Sequence, residues 1–390
     1  MKVIMFHSVG CDNTAWKRSF LSVPLQQFEA FCRFIHKNMI KAHFLDEWYE
    51  AQASGKSHLQ GLVLTFDDGY LDNWVYLFPL LQKYQIKATI FVNPGFVDPV
   101  PEKRCNLTDV WENRCEEHDL QALGFLNWSE IIEMQKSGWV DIQSHSMSHN
   151  WLFSSDKLVD IYARQEKYDW LAWLLHPEQK YQYISNPQFA HKTPLGFPVF
   201  ENGRALAVRQ FIPNTDFIDY AISLYAETAE SQADTGAKFE GIVAKLTDFG
   251  EKNGFGEYES EEMQKQRYWS ELKDSKDILE QKLNKEVRFL CWPGGGYNDL
   301  SVALSWDAGY KASTIASWDN HSIIDNKDAR KRVKRITLSH SLKIGDKGHY
   351  PLKNHFMAMS YRAKSGSAIN KWALRAVKAF YLVKGVLGGN

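Results

Sequence analysis

Thr65-Phe66-Asp67-Asp68-Gly69-Tyr70 closes an apolar run that begins at Gly61, and its reading decides the fold. A short apolar run bounded by turn signals reads as a buried strand. This one ends on two adjacent carboxylates, followed by a glycine that lets the backbone turn. A second apolar stretch, Val140 to Gln143, leads to His145-Ser146-Met147-Ser148-His149. Two acids and two imidazoles four residues apart suit one divalent metal, one activated water and one general base. That donor set points to a hydrolase.

The neighbouring sequence alternates strand with helix. Val3 to Phe6 reads as a buried strand ending at His7, and Leu25 to Asn38 as a helix with Phe28, Phe31, Ile35 and Met39 on one face. Asn73 to Tyr84 reads as a helix, Ala88 to Val92 as a strand stopped by Asn93-Pro94-Gly95, and Trp128 to Ser137 as a further helix. Asp98 to Gly124 is polar, contains two cysteines and reads as a long loop or a small excursion. This order implies an α/β protein with a mainly parallel sheet, whose sites gather at the carboxyl ends of strands. From Trp151 to Glu259 the alternation gives way to aromatic-rich, irregular sequence, too long for an ordinary loop and read as an inserted subdomain or lid. Periodicity returns with a charged helix from Glu261 to Leu283, then strands at Val287 to Trp292, Ala312 to Ile315 and Arg335 to Leu338.

At 390 residues with 44% hydrophobic content, the chain can bury one large core or two smaller ones. Its net charge of -1 hides an uneven distribution: residues 327–390 carry 15 Lys and Arg against two Asp. A tail this basic suggests an anionic partner, for which a membrane surface fits better than nucleic acid, since no nucleic-acid motif accompanies the charge. The five cysteines, Cys11, Cys32, Cys105, Cys115 and Cys291, lack paired metal-type spacing and fit a reducing compartment. The apolar run after Met1 is too short for a signal peptide. A cytoplasmic location, at most peripheral on the inner membrane face, is expected.

An adjacent Asp pair ordinarily caps a helix or makes a turn. Behind a buried strand an unpaired carboxylate is costly, and a metal relieves that cost by ligating one of the two. Asp68 is assigned as ligand and Asp67 as the base that takes a proton from the activated water. A single helical turn would set His145 and His149 on one side. Asp68, His145 and His149 then leave an open position, and two nitrogens with one oxygen suit zinc, with cobalt, nickel or iron as alternatives. Cys291-Trp292-Pro293-Gly294-Gly295-Gly296-Tyr297-Asn298 closes a later strand. Its glycines allow close backbone approach to a ligand, with N–H groups able to hold an oxyanion, or they form a flexible turn.

These three motifs, in this order, resemble those of the polysaccharide deacetylase family (carbohydrate esterase family four, the NodB-homology domain). The likeness covers residues 1–97, 126–150 and 261–340. Phe6-His7-Ser8-Val9 and Leu126 to Gly138 also look like the branch that deacetylates poly-N-acetylglucosamine-type polysaccharides. The resemblance implies a distorted (β/α) barrel and metal-dependent hydrolysis of N-acetyl groups on a glycan. By it, Asp67 would be the base, Asp68, His145 and His149 the metal ligands, and the Gly294 amide an oxyanion donor. Tyr70 and Trp292, inside the first and third motifs, join Gly294 as substrate-facing candidates. A deacetylase or amidase acting on other substrates, esters included, and a catalytically silent glycan-binding protein are the rival readings.

Three positions depart from the family pattern. Cys291 stands where many members carry an arginine that steers the base. Gly294 stands where an aromatic follows the proline. The general acid is often the histidine of a Leu-x-His motif, which Leu338-Ser339-His340 fits. Arg335 could replace the missing arginine, although it lies in the basic run Lys327 to Arg335, usually a solvated face. His7 reads first as a satisfied core histidine, with a place bordering the site at its strand end as the alternative.

The domain reading is therefore a discontinuous deacetylase domain, 1–150 and 260–345, an insertion at 151–259 and a basic tail at 346–390. In the insertion, Trp170, Trp173, Tyr181, Tyr183 and Phe189 could wall a sugar site, though such rings more often fill a core. A lid there would favour a short or lipid-linked acceptor. In the tail, Ile369, Trp372, Ala373, Ala376, Phe380, Val383 and Leu387 fall at helical spacing, with Lys371, Arg375 and Lys378 off the stripe. This resembles an interfacial helix, or a terminal helix docked on its own domain.

Overall fold

The computed structural model describes the chain except residues 12–15, 17, 55–59, 230–234, 317–331, 344–348 and 388–390. Its centre is a closed barrel of seven parallel strands. In chain order these are β1 (Lys2–Phe6), β2 (Leu62–Phe66), β3 (Ala88–Val92) and β4 (Val140–Ser144). Two antiparallel strands outside the barrel follow, β5 (Trp151–Ile161) and β6 (Pro198–Arg204). The barrel then resumes with β7 (Phe289–Leu290), β8 (Ala312–Ala316) and β9 (Arg332–Ile336). Around it the order is β1-β9-β8-β7-β4-β3-β2, and β2 returns to β1. Strands β2, β3 and β4 are buried along their whole length, as parallel strands covered on both faces must be.

The hydrophobic core is layered accordingly. Val3, Val63, Phe91, Phe289, Cys291 and Val333 come from strands around the whole barrel and meet inside it. A larger cluster fills the layer between strands and the surrounding helices, which include α1 (Leu25–Lys37), α2 (Trp128–Lys136) and α3 (Glu261–Leu283). The third cluster joins the 151–259 segment to Tyr70, Phe96 and Phe125.

Several elements differ from the sequence expectation. Asn73 to Tyr84 is not one α-helix: Asn73–Leu77 is a wide π turn, and the α-helix starts at Phe78, with Pro79 in its first turn where no N–H is needed. The polar stretch 98–124 holds a short helix, Leu107–Trp111, whose Asn106 caps it by accepting from Thr108 and Asp109. The 151–259 segment is regular rather than irregular: it holds β5, β6 and two helices, Thr215–Ala229 and Thr235–Asn253. Register shifts between Phe153 and Asp160 break the alternation that would have signalled β5. Strand β9 starts three residues before Arg335, and Lys327 to Lys331 of the basic run lie outside the described residues.

Helices α4 (Phe356–Lys364) and α5 (Ala368–Leu387) end the chain. Ile369, Trp372 and Phe380 on α5 are 83%, 70% and 64% exposed. Side chains beyond Tyr381, Val383 and Leu387 among them, lie outside the described residues. Among the described residues no helix is long and apolar enough to cross a membrane.

Candidate active site

The register of the barrel gathers the functional side chains on one rim. Phe6 lies beside Phe66, Val92 beside Ser144, and Ser144 beside Leu290. The residues that follow, His7, Asp67, Asn93, His145 and Cys291, therefore share the carboxyl end. Alternation along each strand aligns Val63, Thr65 and Asp67 on one face, Phe289 with Cys291, and Val333 with Arg335. Val63, Phe289, Cys291 and Val333 line the barrel interior, so Asp67 and Arg335 project inward as well.

Asp67 and Arg335 meet there. Arg335 donates from Nη1 to Oδ1 at 2.6 Å and from Nη2 to Oδ2 at 2.9 Å, and its Nη2 also reaches Cys291 Sγ at 3.1 Å. Arg335 is buried, not solvated: its place two residues past Val333 turns it into the barrel. Burial pushes Asp67 up, and the Arg335 charge outweighs it and keeps the carboxyl below its ordinary range. His7 Nε2 stands 3.9 Å from Asp67 Oδ2 and is partly exposed, so His7 is a rim residue rather than a core histidine.

Asp68 turns the other way. Its φ of +74°, followed by +68° at Gly69, is a left-handed turn that few non-glycine residues adopt. The turn brings Oδ1 to 3.0 Å from His145 Nε2 and 3.5 Å from His149 Nε2. That oxygen is buried, and no donor among the described residues reaches it in hydrogen-bond geometry. His145 Nδ1 lies 2.8 Å from the Cys291 carbonyl, and an N–H donated there leaves Nε2 with a free lone pair.

The two histidines do not share a helical turn. Residues 145–149 form an irregular loop with φ of +60° at Ser146 and +51° at His149. Its shape comes from outside. The Asn93 amide donates to the His145 and Ser146 carbonyls, Gly95 N–H to Met147, and Glu271 of α3 accepts from the Ser148 amide and hydroxyl. The rings still meet, with centroids 5.3 Å apart.

Asp68, His145 and His149 fit a divalent cation: three donor atoms within 4.8 Å of one another, one of them a buried carboxylate oxygen with no other partner. Burial pushes His149 down to about 3, so it stays a neutral donor. Against its burial, Cys291 and Asp68 pull His145 up, and a cation between them would take that proton's place. Asp67, His145 and Cys291 also converge, but the Arg335 guanidinium already bonds both Asp67 and Cys291, and its charge repels a second cation.

The remaining candidates scatter. Tyr70 is buried between Trp16 and Phe125, and burial and the Asp68 charge hold it neutral. Trp292, one residue past Cys291, points to the opposite face by the same alternation and packs on Tyr297 in the helix-side core. Gly294 has a φ of +54° and lies against Arg204 of β6. His340 Nε2 faces the Phe20 carbonyl at 3.4 Å. Trp170, Trp173 and Phe189 fill the core of the 151–259 segment. Tyr183 borders a cavity of about 210 Å³, together with Trp16, Tyr162, Arg164, Asp169 and Asn186. Arg18 and Arg204, both near Asp68, carry no sequence signal, because neither lies in a motif.

A closed parallel barrel with carboxylates and imidazoles converging on its carboxyl rim defines an α/β-barrel hydrolase scaffold. The chain belongs to the polysaccharide deacetylase family, whose model matches residues 55–188 and 251–313. Bacillus subtilis (strain 168) YxkH is 36% identical over 93 residues, 24% of this chain and 31% of that one. The poly-β-1,6-N-acetyl-D-glucosamine N-deacetylase of Escherichia coli (strain K12) is 26% identical over 149 residues, 38% of this chain and 21% of that one. Among solved structures, a de-N-acetylase from Aggregatibacter actinomycetemcomitans is 17% identical, with a TM-score of 0.48 over 86% of this chain and 93% of that one. The chain spans less than a third of the length of these two curated relatives.

Proposed function

We propose that this chain hydrolyses the N-acetyl group of an N-acetylated sugar unit in a glycan, with a divalent metal, zinc first, held by Asp68, His145 and His149. The observation that carries the reading is Asp68 Oδ1: buried, facing two imidazole nitrogens, and next to a second carboxylate already gripped by an arginine. Family membership and the names of the relatives support the substrate class. When bound, the ion would supply Lewis acidity, lowering the pKa of a coordinated water and offsetting charge on the carbonyl oxygen.

This chain's own residues do the rest. Asp67 accepts the proton of the attacking water on a carboxylate oxygen. Arg335 keeps that carboxylate ionised and fixes its plane. Cys291 contributes through its carbonyl, which orients His145, and through Sγ, which takes the second arm of Arg335. The Gly294 amide is the assigned oxyanion donor. His7, 3.9 Å from Asp67 and partly exposed, is better placed than His340 to return a proton to the leaving amine.

The exposed apolar stripe of α5, flanked by Lys371, Arg375 and Lys378, supports a peripheral site on an anionic membrane surface, with a cytoplasmic protein acting on lipid-linked glycan intermediates. Acetate release from N-acetylglucosamine oligomers, with zinc restored after chelation, tests the central reading. Metal-dependent release that Asp67→Asn abolishes while metal content stays stoichiometric is the expected result. Equal release by the Asn variant removes Asp67 as base.

A further inference from the structure

The triple glycine after Pro293 has a tenant. A Cβ on Gly294 would lie 2.3 Å from Arg204 Cζ, and one on Gly296 would lie 2.1 Å from Arg204 Cβ. The glycines are what let Arg204 reach the barrel rim from β6. Its guanidinium stacks on Trp151, 3.6 Å from the ring centroid, and its Nη1 is shut off from solvent with no hydrogen-bond partner among the described residues. Where the family pattern has an aromatic ring after the proline, this chain supplies a guanidinium from the 151–259 segment.

A second guanidinium comes from the other side of the sequence. Arg18 packs over Trp173 and Tyr183, with centroids at 5.8 and 5.9 Å, and lies near enough to Tyr70 and Asp68 for both to favour its charge. Both arginines feel the Asp68 charge, and Arg18 disfavours the charge on Arg204. Among the described residues no carboxylate comes within ion-pair distance of either. Burial pushes Arg204 down to about 10, whereas Tyr183, Tyr70 and Asp68 hold Arg18 above its ordinary value against its burial. Asp68 favours the charge on both, and a divalent ion held on Asp68 would offset that.

The deacetylation product carries an ammonium, which this surround repels. The positive charge therefore favours a substrate that brings its own anion. Resting on the deacetylase reading above, we infer that the acceptor carries an oxyanion, a carboxylate or phosphate ester, adjoining the sugar that loses its acetyl group, and that Arg204 and Arg18 bind it. Trp151 and the glycines hold the Arg204 guanidinium in place, and a planar guanidinium recognises carboxylate and phosphate oxygens alike.

The test compares kcat/KM of the zinc-supplemented full chain on three acceptors: a neutral N-acetylglucosamine disaccharide, the same sugar linked to glucuronate, and its 1-phosphate ester. The expected result is a preference of about tenfold or more for an anionic acceptor, carried mainly in KM. The preference should shrink toward unity in Arg204→Gln and Arg18→Gln, and Arg204→Lys should retain part of it. Which anion wins separates a uronate from a phosphate source. Turnover of the neutral sugar at an equal or higher kcat/KM overturns the anion site and leaves the deacetylase reading standing. Absence of acetate from all three sinks the deacetylase reading. Calorimetric binding of the same acceptors to Asp67→Asn then decides the anion site separately: tighter anionic binding that Arg204→Gln weakens supports it, and equal binding overturns it. Because Arg204→Gln leaves a gap against Trp151, thermal melts accompany each variant, and Arg18→Gln, which has no such packing against the glycines, carries the test if Arg204→Gln does not fold.

Discussion

Arg335 grips both carboxylate oxygens of Asp67 across the barrel interior, from 268 positions further along the chain. Arg335 Nη2 also reaches Sγ of Cys291, the residue that departs from the family pattern in the third motif. Replacing Arg335 by Met strands a buried carboxylate, which typically costs about 3–5 kcal/mol. Arg335→Lys restores charge without the two-pronged geometry. Chemical denaturation should show the Met variant strongly destabilised and the Lys variant much less so, with kcat reduced in both. A Met variant as stable as the parent would remove the pair from the structural account.

His7 and His340 offer a clean comparison. Because His7 lies beside Asp67 while His340 faces the Phe20 carbonyl, His7→Gln should lower kcat about 10²-fold or more, with KM little changed. His340→Gln should cost less than tenfold in the same assay. The reverse order would return the proton-donor role to the Leu-x-His motif.

Asp72 provides a pH handle apart from Asp68, His145 and His149. It accepts from the Ser8 hydroxyl at 2.6 Å and the Val9 amide at 2.9 Å, yet burial outweighs these bonds and pushes its carboxyl up to about 7. Between the ordinary carboxylate range and pH 7 the folded chain holds a proton that the unfolded chain has released. Its stability contribution is therefore full at low pH and declines as pH rises toward 7, by at most about 4 kcal/mol. Asp72→Asn should flatten that decline in urea midpoints measured from pH 5 to 8. An unchanged slope would mean that Asp72 is ionised in the fold throughout.

The terminal helix makes a separate prediction. Full chain should sediment with vesicles containing anionic phospholipid, less so as salt rises, and much less after Ile369, Trp372 and Phe380 are all changed to Ser. Complete retention of the parent in the supernatant would assign α5 some other role.

The sequence conveys the barrel well because its buried strands are continuous apolar runs, and β3 falls on Ala88–Val92 as the run itself is bounded. The acid pair and the two histidines are legible for the same reason: each follows such a run and must exit at the carboxyl rim. Arg335 is obscured by its neighbours. A basic run suggests solvent, and only the alternation with Val333 reveals an inward face. Trp292 errs in the opposite direction, a motif aromatic sent outward by its place next to Cys291. The helical turn assumed for His145 and His149 fails because Asn93, Gly95 and Glu271, distant in sequence, dictate that loop. Arg18 and Arg204 are invisible for want of any local pattern.

Strand β1, made first, has β2 on one side and β9 on the other. During synthesis the ring stays open until its last staves emerge, and at roughly 5–20 residues per second the wait across 268 positions lasts about 13–54 s. Throughout that interval the nascent amino-terminal portion exposes an unclosed parallel edge and an acid without its arginine. A chain ending before residue 332 should consequently hold Asp67 without the guanidinium that fixes its plane.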